Sequence, residues 1–277
     1  MTVRKFERQY GFTLIEVMVA MGVFLVICGA MFGLLNTSQK RYQTESQVLD
    51  SFQQARLGLD EVVRDASDMG YPPANQFSVV PAGAPWDAIT PVAWSPNYAV
   101  TPCQIGTAGG GTCTTPGDFD VIFEEQFDNA GLKWIRYQLV GTTLFRGEAV
   151  KPAVPGADPA ATVSIAAGNM FPYVTNVMNN ATPAQIARFR ASYPAMFPGG
   201  NPQPIFQYYC DPPLPPAPQV LTLCQNSGLP PAGTNSPQNI RDVEVTLIVQ
   251  ATRRDAQTGA PRLVELNGRG HRLNPNQ

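Results

Sequence analysis

Few residues in this sequence have types and spacing that could do chemistry: five cysteines, one histidine, and one glutamate at the leading end of a long apolar run. Cys103 and Cys113 form one close pair and Cys210 and Cys224 another, and an oxidising compartment makes such pairs disulfides. Four cysteines allow three connectivities. The short Gly/Pro-rich loop inside each pair favours local closure, Cys103 to Cys113 and Cys210 to Cys224. Neither pair has C-x2-C spacing and no histidine accompanies them, so zinc is a poor reading. His271 is the sole histidine and sits in the C-terminal tail, which leaves little room for Ser-His-Asp, Cys-His or multi-histidine sites. No metal, no cofactor and no small-molecule substrate are expected, and the chain reads as a non-enzyme.

Three further features are weak. Asp118, Asp120, Glu124, Glu125 and Asp128 could supply oxygens to calcium, but carboxylates alternating on a strand edge are more often a solvated face. Gly106 to Gly111 lacks the Lys-Ser/Thr that follows a phosphate loop and reads as a turn closed by a disulfide. The tail sets Arg241, Arg253, Arg254, Arg262, Arg269 and Arg272 against Asp242, Glu244, Asp255 and Glu265, a mild basic excess with a small prospect of contact to polyanions.

Composition narrows the class. The chain has 277 residues, 44% of them hydrophobic, which is too apolar for a disordered protein. A charged fraction of 14% and a net charge of -2 give no basic field for nucleic acid. Every proline lies at or after Pro72, so the first 71 residues form a Pro-free block with a different architecture from the rest. Inside it, Val17 to Leu35 is an uncharged stretch long enough, as a helix, to cross a bilayer core of roughly 30 Å. Arg4, Lys5 and Arg8 precede it against Glu7, which by the positive-inside rule keeps that end in the cytoplasm and sends everything after Leu35 outside.

Glu16 is the oddity. An ionisable side chain at membrane depth costs several kcal/mol unless paired and is a functional hypothesis by default; the bland alternative is an interfacial residue reaching into headgroups. An ordinary secretory cut would follow the apolar run, where Cys28-Gly29-Ala30 is a poor site. A lipoprotein cut would need a small residue where Ile27 stands, so Cys28 reads as a small hydrophobe in the helix.

Gly11-Phe12-Thr13-Leu14-Ile15-Glu16-Val17, after a basic leader and before an apolar helix, closely resembles the processing site of type IV prepilins and type II secretion pseudopilins. The resemblance implies a cut between Gly11 and Phe12 by a membrane-embedded prepilin peptidase, with Phe12 becoming the N-methylated first residue. It also implies that the Glu16 carboxylate pairs with the terminal amine of a neighbouring subunit during assembly. A cationic amine beside a carboxylate in low dielectric is worth far more than in water, so such a pair would act as a register mark for helix packing. The implied partners are the peptidase and other minor and major pilin subunits. The implied location is the inner membrane, single-pass with a periplasmic head, and then a pilus or pseudopilus filament. Leu59-Asp60-Glu61-Val62-Val63-Arg64-Asp65 running into Asp68-Met69-Gly70-Tyr71-Pro72 is similar to the helix end of PilW-type minor pilins, although Ser67 and Asp68 stand where an arginine is usual. Two other readings are a J-like minor pseudopilin, which shares every N-terminal feature, and a binding domain anchored by an uncleaved helix.

These features need elements to position them. Leu49, Phe52, Leu59, Val62, Val63, Ala66 and Met69 recur at spacings of three and four, with Arg64 and Asp65 among the polar residues between them. The membrane helix therefore continues as an amphipathic one, about 55 residues or roughly 80 Å in all, stopped by Gly70 and Pro72-Pro73. Strands are expected over 119–127 and 132–140 as a hairpin, then over 142–146, 162–166, 205–209 and 243–250, with a short helix over 183–193. The expected fold is α+β and pilin-like, a long N-terminal helix packed on an antiparallel sheet with long Pro/Gly-rich loops. Its organisation is a leader over 1–11, an assembly helix over 12–35, an amphipathic continuation over 36–71 and a β-rich head over 72–277.

Overall fold

The computed structural model describes residues 11–70, 90–96, 98, 103–106, 112–125, 132–151, 158–210, 222–224, 235–254, 259 and 261–272. Leader residues 1–10, Asp128, Asp255, and most of the 106–111 loop lie outside this set. Helix α1 runs unbroken over Leu14–Asp68. Its apolar first half is left uncovered by the described residues, whereas its second half buries Val48, Ala55, Leu59, Val62 and Ala66 against the head. This stripe differs from the expected one at two places: Leu49 is exposed, and Asp65 is buried on the head side.

Two antiparallel sheets form the head, where a single one was expected. The first has the order β1 (Val92–Ala93), β2 (Asp120–Glu125), β3 (Lys133–Val140), β4 (Thr143–Val150), β5 (Phe171–Thr175). After β5 comes a short helix α2 (Pro183–Arg190), started by a reciprocal Thr182–Gln185 capping box. The second sheet is built from β6 (Phe206–Cys210), β7 (Thr222–Leu223), β8 (Ile240–Arg254) and β9 (Pro261–His271), in the order β7-β6-β8-β9.

Residues 176–179 stitch the sheets together. The Val177 N–H donates to Thr142 in the first sheet, while Met178 donates to Ile248 and Asn176 accepts from Gln250 in the second. Asn176 makes this turn at φ 60°, a left-handed conformation that asparagine tolerates better than most residues. One continuous apolar core then fills the space between α1 and both sheets. A smaller cluster of Met178, Ile186, Phe189, Phe197, Ile248 and Leu263 lies on the opposite face of the second sheet, under α2.

Side-chain absence sets how closely helix and sheet approach. A Cβ at Gly270 would lie 2.5 Å from the Ala66 Cβ and 2.9 Å from the Ala66 carbonyl carbon, and one at Gly268 would lie 2.5 Å from Val63. From the helix side, a Cβ at Gly58 would meet Val174 of β5 at 2.4 Å. The sequence reads β9 as a mildly basic tail; only Leu263, Val264 and Leu266 are apolar in it, the Asn-Gly-Arg-Gly-His half carries little strand signal, and pairing along β8 overrides it.

The hairpin β2–β3, α2, β6 and β8 fall where expected, with β8 longer at both ends. Residues 162–166 do not form a strand. Val163–Ile165 is instead a 3-10 turn that follows another over Pro159–Ala161, and the buried Arg136 Nη1 holds the carbonyls of Ala160 and Ile165 at 3.1 and 2.8 Å. The carboxylates of β2 are not a solvated face either. β2 is an internal strand: Glu124 and Glu125 are buried, and Asp120 is held by Arg136 at 2.6 and 2.9 Å and by Gln138 at 3.0 Å. Both cysteine pairs close locally, Cys103 with Cys113 and Cys210 with Cys224, each with Cα atoms 5.1 Å apart.

Candidate processing and assembly site

Gly11 and Phe12 precede the helix in exposed chain outside any helix or strand, where a protease can reach the peptide bond between them. Thr13 is the N-cap, with φ -75° and ψ 150°. Its side chain accepts from the Glu16 N–H, and Glu16 reaches back so that Oε2 accepts from the Thr13 N–H at 2.9 Å and from the Thr13 hydroxyl at 2.8 Å. The pair forms a capping box that satisfies orphan donors of the first turn. Glu16 is thus the helix start as well as the charge at the head of the apolar run. Both of these bonds use Oε2, so Oε1 of the exposed side chain takes neither. The Thr-x-x-Glu spacing announces this box in sequence, but attention to the charge of Glu16 obscures it.

From Phe12 to Leu35 nearly every side chain is exposed; Cys28 is half-buried and unpaired. Added Cβ atoms at Gly22, Gly29 and Gly33 would meet nothing. An apolar rod of this length with no cover from its own chain has to find it in lipid or in other helices.

At the far end, polar residues lock the rod to the head. Asp65 accepts from the Tyr137 hydroxyl at 2.6 Å and from Arg146 Nη2 at 3.1 Å, and Arg146 also donates to Tyr137 and to Glu148. Burial pushes the Asp65 carboxyl up while Tyr137 and Arg146 pull it down, and burial with the charge of Asp65 pushes the Tyr137 hydroxyl far up. On the other face of the sheet, Glu124 accepts from Tyr98, from Trp134 Nε1 at 3.0 Å and from Lys151 at 2.9 Å. Glu125 differs: its Oε2 is buried with no hydrogen-bond partner, and burial, then Asp65 and Asp68, push its carboxyl up to about 8.

The calcium candidates do not converge, because Asp120, Glu124 and Glu125 each turn to a separate environment, and among the described residues no three such side chains form a metal-holding group. Three of the tail cations have partners on the head or the helix. Arg269 binds the buried Asp242 at 2.7 Å and lies over the Tyr209 ring, His271 Nδ1 meets Asp242 at 2.5 Å, and Arg262 reaches Glu45 of the helix at 3.0 Å.

Residues 7–32 match the family model described as the prokaryotic N-terminal methylation motif. The N-terminal segment is therefore that of a type IV prepilin or pseudopilin precursor, the class that prepilin peptidase processes and that assembles with other pilins. No curated protein and no solved structure matches the chain.

Proposed function

We propose that this prepilin-type precursor is a minor type IV pilin, a structural subunit that helps to initiate or build an extracytoplasmic filament and carries out no catalysis. The observation that carries the reading is the single helix α1, whose motif-bearing first half is bare and apolar while its second half is fastened to a head. In this reading the peptidase cuts between Gly11 and Phe12, methylates Phe12 and removes the cationic leader. The new amine of one subunit then meets Glu16 of another, whose Oε1 takes no part in the capping box.

The leader covers 1–11, the membrane and assembly helix 12–35, its amphipathic continuation 36–71 and the head 72–277. The N-terminus lies in the cytoplasm and the head in the periplasm, an orientation supported by the basic leader and by two closed disulfides in the head. A head of this size supports a low-copy position at or near the tip over a major-subunit role.

Intact-mass and N-terminal peptide analysis from envelopes of the native host, with and without its prepilin peptidase, tests this. Peptidase-dependent loss of Met1 to Gly11 with a methylated Phe12 is the expected result. A full-length chain, or a cut near Cys28 or Ala30, would overturn it in favour of an anchored or exported binding domain. Recovery in sheared pilus fractions then separates a pilus subunit from a J-like secretion pseudopilin.

A further inference from the structure

The outer face of the second sheet, away from α1, carries a cavity of about 220 Å³ where the α2 lobe meets the strands. Ile248, Thr246 and Gln207 form its floor, with Gln207 and Thr246 on neighbouring strands β6 and β8. Met196, Pro198 and Gln203 form the wall, and Glu265 of β9, opposite Ile248 in the register, stands at the rim.

Wall and floor are fixed to each other. The fully buried Asn179 donates to the Thr246 carbonyl at 2.8 Å, accepts from the Ile248 N–H at 2.8 Å, and its own carbonyl accepts from the Gln203 N–H at 2.9 Å. The cavity is therefore preformed, as small-molecule sites usually are.

Its chemistry selects among ligands. Among the described residues no lysine, arginine or histidine lines it, so an anion has no cation to meet there. One exposed carboxylate is too little for a metal ion. Among the described residues no aromatic ring lines it, which leaves no stacking surface for a planar base. What remains is apolar carbon of Met196 and Pro198, over the buried Ile248, beside two carboxamides, a hydroxyl and a carboxylate. Among the described residues the Gln207 amide and the Thr246 hydroxyl have no side-chain hydrogen bond. Gln203 uses only its Nε2 on Asn201 and Pro202, and Glu265 only its Oε1 on Asn267, which leaves one oxygen of each. Uncommitted donors and acceptors beside apolar carbon suit a ring with C–H on one side and neutral hydroxyls around its edge.

We infer that this cavity binds a neutral pyranose, free or as the exposed end of a glycan, with Gln207, Thr246 and Glu265 reading its hydroxyls. The site goes beyond the filament reading and does not depend on it, since it needs neither cleavage nor assembly.

Saturation-transfer NMR on the full chain, in a detergent without a sugar headgroup, tests the inference with methyl glycosides of glucose, galactose, mannose and N-acetylglucosamine. Sialic acid is the anionic control. The same sugars at the end of oligosaccharides show which source binds better. Transfer to at least one neutral pyranoside is expected. It should weaken at least tenfold in Gln207→Ala and in Glu265→Gln, the latter at an exposed position that leaves the fold intact, and be unchanged in the remote Gln238→Ala. No transfer from any neutral pyranoside at tens of millimolar, transfer that survives both cavity variants, or equal transfer from sialic acid would overturn it.

Discussion

Asp65, one turn from the end of the long helix, accepts a 2.6 Å hydrogen bond from the hydroxyl of Tyr137 in the centre of β3, 72 residues further along the chain. With Arg146 closing the triangle, this contact fixes the rotation of the helix against the head, since turning α1 by one residue would carry the carboxylate out of reach. Tyr137→Phe removes the hydroxyl and leaves Asp65 with Arg146 alone, for an expected loss of about 1–2 kcal/mol. Asp65→Ala strands both partners and is expected to cost about 3 kcal/mol. Urea unfolding of the two variants checks the order; equal losses would mean the triangle does not act as a unit.

Stability should also depend on pH through Glu125. Burial is the main cause of its raised pKa, with Asp65 and Asp68 on the helix and Glu148 on β4 adding to it and Arg146 opposing. Below the ordinary value of 4.5 both states hold the proton, so stability is full there. As pH rises the unfolded chain releases the proton while the folded one keeps it, up to about 8, and stability falls by roughly 1.4 kcal/mol per pH unit over that window. Asp68, Asp118 and Asp120 are pushed the same way by burial. Melting temperature is therefore expected to drop between pH 5 and pH 8, and Glu125→Gln to flatten the drop substantially. An unchanged slope in the variant would remove Glu125 from the account.

Close packing makes two glycines unequal. At Gly270 an added methyl group meets backbone of Ala66 and the Val63 carbonyl oxygen at 3.0 Å, neither of which can swing away. At Gly147 it meets Met170 Cγ at 2.6 Å and Ile165 at 3.3 Å, and the methionine is unbranched and able to move. Gly270→Ala is expected to cost about 2–3 kcal/mol and Gly147→Ala under about 1 kcal/mol, measured by thermal unfolding. If the two were equal, helix and sheet would be free to separate at little cost.

What sequence makes legible follows the range of the interactions involved. The helix, its stop at Gly70, the β2–β3 hairpin and the local disulfides are set by residues near one another in the chain, and their periodicities and spacings show. β9 and the carboxylates of β2 are set by partners far away. Asp120 reads as a surface acid until Arg136 is known to lie across the ladder from its strand, and β9 reads as a polar tail until β8 is known to run beside it for ten residue pairs. The same holds for Asn179, whose neighbours give no hint that its amide replaces a missing strand along β8. At the candidate processing site the motif is legible because its glycine, glutamate and apolar helix lie close together within Gly11 to Leu35, as does the Thr13–Glu16 spacing of the capping box.

That double duty of Glu16 can be separated by substitution. Glu16→Gln keeps an oxygen for the Thr13 N–H and hydroxyl, since a Thr-x-x-Gln box caps as Thr-x-x-Glu does, but removes the charge. Thr13→Ala keeps the charge and removes the side-chain cap, at a cost of about 1 kcal/mol to the helix start. If an amine from a neighbouring subunit needs the carboxylate, Glu16→Gln and Glu16→Ala should both enter sheared filaments at least tenfold less than wild type, while Thr13→Ala enters nearly as well. Should the cap be what matters, Glu16→Gln would enter normally and Thr13→Ala would fail. Quantifying the chain in filament and membrane fractions for all three variants, after checking that each is still cleaved before Phe12, decides between a charge that recognises a neighbour and one that only starts its own helix.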